Sequence, residues 1–153
     1  MAFNRRNRQT TSTLEGYARK VENILLALGI DPESARQARA GGFGWGFRRG
    51  SAAIEVVVTQ HEGHGYFQVL SPLIHLPITG LLPLYRRLLE LNLQLTSAAL
   101  GVHGDIVYVF CERPIEGLDT HEVNALIGLV TGYADELDDK LADEFGGRLY
   151  GRV

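Results

Sequence analysis

One cysteine, Cys111, is all the thiol in 153 residues. No intramolecular disulfide can form, and no set of thiols exists to hold zinc. Long apolar runs are missing as well. The leucine-rich centre is interrupted by Arg86, Arg87 and Glu90, whereas a bilayer span needs about 20 apolar residues in succession. Positive charge is not in excess: the formal net charge is −3, which argues against a binder dominated by phosphate contacts. The opening MAFNRRNRQTTS is basic with no apolar stretch behind it. It is therefore not read as a signal peptide, and a cytoplasmic, reduced protein with no membrane association is expected.

Signatures of chemistry are equally scarce. No GxSxG, P-loop or GxGxxG occurs, and GGFGWGF opens on an aromatic-rich strand with no helix start behind it. The histidines are His61, His64, His75, His103 and His121. His61 and His64 are three apart across a glycine turn, whereas the helical zinc pair needs a spacing of four. Cys111 ends an apolar strand and reads as a small core hydrophobe. The expectation is a protein with no catalytic residue, no metal site and no cofactor, and hence not an enzyme.

What is present in quantity is leucine, concentrated in TGLLPLYRRLLELNLQLT from Thr79 to Thr96. At 100° per residue, Leu81, Leu84, Leu88, Leu91 and Leu95 form one stripe, while Leu82, Leu89 and Leu93 form a second. Tyr85 lies between them. The combined arc spans roughly 200°, about twice what a one-sided surface helix needs. The second stripe therefore has a further surface to cover, in another subunit or under the last helix of the same chain. The stripe Leu84, Leu88 and Leu91 is assigned to the chain's own sheet, and Leu82, Tyr85, Leu89 and Leu93 to a dimer interface. On sequence alone the two could be exchanged.

Around this helix the pattern is that of an α+β fold, an antiparallel sheet of about five strands packed by helices in the order α-βββ-α-ββ-α. Residues 1–11, with Arg5, Arg6 and Arg8, read as a disordered basic arm, residues 12–146 as one domain and residues 147–153 as a loose tail. Ser12 and Glu15 have capping-box spacing before a helix with Leu14, Tyr17, Ala18, Val21, Ile24, Leu25 and Leu28 on one face, ended by Gly29. Asp31-Pro32 can cap a further short turn. Three strands follow, over 41–49, 51–60 and 66–76. The last carries Pro72 and Pro77, which lack the amide a central strand donates, so its end is placed at an edge. A second hairpin over 97–112 ends in IVYVFC, apolar on both faces and so interior. Asp119 and Glu122 cap the last helix, whose outer face carries Asp135, Glu136, Asp138, Asp139, Asp143 and Glu144 and reads as solvated.

In the first strand Phe43, Trp45 and Phe47 share one side, with Gly44 and Gly46 opposite. Such a strand can offer aromatic anchors and close backbone approach to a partner. Alternatively, the rings close the core. A nucleic-acid-associated role would use the same region, with Trp45 and Phe47 stacking on bases beside Arg5, Arg6, Arg8, Arg48 and Arg49.

The run LLPLYRRLLELNLQLTSAALGVHGDIVYVFCERPIEGLDTHEVNALIGLV sits within the order helix, three strands, helix, two strands, helix. It combines a leucine-rich helix ending in LLELN, a glycine-bearing hairpin, a Leu-Asp linker and a long amphipathic helix. Over roughly residues 13–145 it resembles the YbjN-type domain family, which is similar in fold to the class I chaperones of type III secretion. The resemblance implies a homodimer that binds a client protein without catalysis, in a chaperone-like or regulatory role.

Overall fold

The helix boundaries are set by residues whose backbone preferences are plain. In the computed structural model, which describes residues 3–151 with side chains from Thr13 onward, α1 runs Phe3–Ala27. Its end is a Schellman turn: Gly29 has φ of 80°, Gly29 N–H donates to Leu26 O and Ile30 N–H to Leu25 O. Its start corrects the sequence reading. The helix begins at Phe3, not at the Ser12 box, because no glycine or proline lies between them to stop it. The side chains of Arg5, Arg6 and Arg8 lie outside the described residues, so the arm's contacts do too.

Asp31 caps the four-residue α2, Pro32–Ala35, by accepting from Glu33 N–H at 3.1 Å. The chain then enters β1, Arg36–Gln37, which pairs antiparallel with β2, Gly42–Arg49. Strands β3, Ala52–His61, and β4, His64–His75, follow, and Gly80 leads into α3, Leu81–Asn92. The second hairpin is β5, Ala99–His103, and β6, Ile106–Pro114. The last helix, α4, Thr120–Phe145, begins where Asp119 accepts from Glu122 N–H at 2.8 Å and ends at Gly146. Beyond it lies β7, Arg148–Leu149.

Strand order is β1-β2-β3-β4-β6-β5, with β7 on β4. The described residues thus hold an antiparallel sheet with two strands more than the five expected. Both extra strands, β1 and β7, are two residues long, too short for any periodicity to show. Two expectations are corrected by β7. The proline-bearing end of β4 is not a bare edge, because Ile74 and His75 pair with Leu149 and Arg148. Nor is the tail after Gly146 loose over its described part.

Contacts divide the chain into two units. The first holds residues up to Phe47, Glu55–Gln68 and Glu112–Ala125. Its core includes Val21, Leu25, Trp45, Phe67, Ile115 and Val123, all buried. Tyr17 of α1 comes so close to β4 that a Cβ on Gly65 would sit 2.5 Å from its ring, so only glycine fits there. The second unit holds Arg48–Ile54, Val69–Cys111 and the chain from Leu126 onward. Its core includes Leu73, Ile74, Leu84, Val107, Ile127 and Leu141. No described helix is long and apolar enough to cross a membrane.

Candidate partner-binding surface

The leucines of α3 divide into two faces. Leu84, Leu88 and Leu91 are 0%, 5% and 8% exposed, whereas Leu82, Leu89 and Leu93 are 79%, 68% and 90% exposed. Tyr85 stands at the margin, and Ile78, just before the helix, is almost fully exposed. The buried stripe is the one assigned to the chain's own core, and α4 does not cover the other. A leucine left in water forgoes about 1.5–3 kcal/mol of burial, so three exposed along one side of the helix and its C-cap are the kind of apolar surface that marks an interaction site.

Asn92, the last residue of α3, is a half-buried amide with both its groups used. Its Oδ1 accepts from Leu100 N–H at 2.7 Å and its Nδ2 donates to Leu100 O at 3.2 Å. The side chain thus holds α3 to β5, the terminal strand of the sheet. Beyond it, Thr96 N–H donates to the Tyr133 hydroxyl of α4 at 2.9 Å. These bonds fix the helix while leaving its outer stripe free.

The aromatic strand β2 is arranged differently from the expectation of a free platform. Trp45 is fully buried, and Phe43 and Phe47 are half-buried. Phe43 stacks on Trp45 with ring centroids 6.4 Å apart, and the Arg36 guanidinium lies 5.0 Å over the Phe43 ring. The bare side of the strand is taken by the chain itself. The side chains of Arg39 and Gln37 occupy the space where Gly44 and Gly46 would carry a Cβ, and Arg39 is ion-paired with Glu55. Alternation assigns the three rings to one face, and Phe43 and Trp45 do meet there. It cannot tell that Trp45 is covered, and a buried Trp45 is not available for stacking on a base.

The histidines are dispersed. His61, His64, His103 and His121 are exposed, and no described group of His, Cys, Asp and Glu is arranged to hold a metal ion. His75 faces Asp105 across 3.0 Å, and this hydrogen bond holds the Asp105 carboxyl below its usual range. Burial pushes the Cys111 thiol up to about 11, so it stays protonated at neutral pH. A disulfide reagent should therefore label Cys111 only as fast as the chain opens. Immediate stoichiometric labelling of native protein, in a stopped assay with and without denaturant, would contradict that burial. On α4 the acidic face is partly paired: Ser51 donates to Asp135 at 2.8 Å, and Lys140 lies 3.4 Å from Glu136.

Residues 28–152 match the family model TY-Chap1, described as T3SS (YopN, CesT) and YbjN peptide-binding chaperone 1. No curated protein sequence matches the chain. Among solved structures the fold is similar to the HopA1-SchA chaperone-effector complex, with a TM-score of 0.60 at 11% identity over 84% of this chain and 97% of that one. It is also similar to the heterodimeric ExoU-SpcU complex of the type III secretion system of Pseudomonas aeruginosa, with a TM-score of 0.55 at 17% identity over 78% and 95%. Those likenesses are of fold. The family match spans most of the sequence, and the chain belongs to the family of T3SS and YbjN peptide-binding chaperones.

Proposed function

We propose that this chain is a non-enzymatic, cytoplasmic homodimer that binds a segment of a partner protein in a chaperone-like or regulatory role. Family membership supports peptide binding, and one of the similar folds is found in a chaperone-effector complex. The homodimer rests on one observation, the outer stripe of α3. Leu82, Tyr85, Leu89 and Leu93 project from a helix whose opposite stripe is anchored in the core. A symmetric pair is the commonest way for one such patch to cover itself.

Light scattering at micromolar concentration tests it. The expected mass is twice 16.9 kDa, and a single-chain mass removes the dimer. Leu89→Glu should give a folded monomer, because the carboxylate is well solvated in the single chain and desolvated only between two. An unfolded Leu89→Glu would place that side chain in the core instead.

A further inference from the structure

Beyond α4 the chain returns to the sheet as a strap. Gly146 turns it with φ of 73°. Gly147 then lies flat on β4, where a Cβ would meet the His75 carbonyl oxygen and the Ile74 Cδ1 at 2.8 Å each. Arg148 and Leu149 pair antiparallel with His75 and Ile74. Tyr150 N–H donates to Leu73 O at 3.0 Å, and its ring stacks on His75 with centroids 5.7 Å apart. Main-chain bonds plus one aromatic anchor are how a sheet recognises an extended peptide.

The strap fills its place incompletely. A cavity of about 110 Å³ is lined by Ser71, Leu73, Ala134, Leu149 and Tyr150 among others. The buried hydroxyl of Ser71 has no hydrogen-bond partner among the described residues. A ligand with a larger or more polar side chain at the place of Leu149 would occupy that space.

We propose that the end of β4, Leu73–His75, is a slot for an extended client peptide, closed in this structure by the chain's own Arg148-Leu149-Tyr150. The ligand is a strand-forming segment with an aromatic residue at the Tyr150 position, preceded by a residue bulkier or more polar than leucine. This rests on the peptide-binding reading of the family and adds the slot, its motif and its gate. A tethered strap acts at an effective concentration on the order of millimolar, so it screens out segments that bind less well than itself.

The probe is a fluorescein-labelled peptide of residues 146–153, GGRLYGRV, read by anisotropy against full-length protein. Gly147→Val lifts the strap, because its Cβ has no room on β4, and should bind the peptide at least about tenfold more tightly than the wild type, whose slot is filled in cis. Adding His75→Ala to Gly147→Val should weaken binding again, as should tyrosine-to-alanine in the peptide. Equal binding to wild type and Gly147→Val, or none to a folded Gly147→Val, overturns the slot. If Gly147→Val does not fold, Tyr150→Ala, which frees the ring's place on His75, is read in the same way. A dimer mass that falls when the peptide is added would mean the strap crosses to a second copy, which overturns closure in cis. A client that binds wild type and variant equally removes this slot and leaves the peptide-binding reading standing.

Discussion

Trp45→Ala should cost about 3–5 kcal/mol in a denaturant titration, enough to threaten folding outright. The ring is fully buried and carries Phe43 stacked against it. Its removal leaves a cavity that neighbouring side chains can only partly fill. The indole Nε1 has no hydrogen-bond partner among the described residues, so Trp45→Phe, which discards that N–H, should cost far less than the alanine change. A stability unchanged by Trp45→Ala would return this residue to the surface and revive its part in partner binding.

Neighbouring leucines on α3 should behave in opposite ways. Leu88→Ala should lose about 2–5 kcal/mol, as truncation of a buried leucine does. Leu89→Ala, measured at a concentration where the chain is a monomer, should stay within about 0.5 kcal/mol of wild type. The contrast comes from exposures of 5% and 68% at adjacent positions. Equal losses would mean that the outer stripe is covered within the single chain. Where the chain is a dimer, any loss at Leu89 should shrink on dilution, while that at Leu88 should not.

The division of α3 into two stripes was legible in the sequence because a 3.6-residue repeat converts directly into faces. Which stripe faces inward was not, since Leu84 and Leu82 are chemically alike and only the position of the sheet tells them apart. The caps at Asp31 and Asp119 and the glycine stop after α1 were readable for the same local reason: each acts within a few residues of itself. The start of α1 was misread because the Ser12–Glu15 spacing mimics a helix start and nothing upstream interrupts the helix. The strands β1 and β7 had no local signal at all. Gln37 and Arg148 become strand residues only because an edge of β2 or β4 is there to pair with. Burial of Trp45 was hidden for a related reason, as alternation assigns residues to a face without showing what covers it.

The bond between Asn92 and Leu100 bears on how these molecules can associate. By offering one acceptor and one donor side by side, the amide imitates a peptide unit of a neighbouring strand. At Leu100 the rim of the sheet is therefore already answered by its own helix. An incoming strand would have to evict that side chain before it could add to β5, which guards this border against runaway edge-to-edge pairing of sheets. If copies meet near α3 as proposed, leucine side chains would carry the recognition, and a symmetric contact of that kind closes after two partners whereas a ladder of main-chain bonds has no natural end.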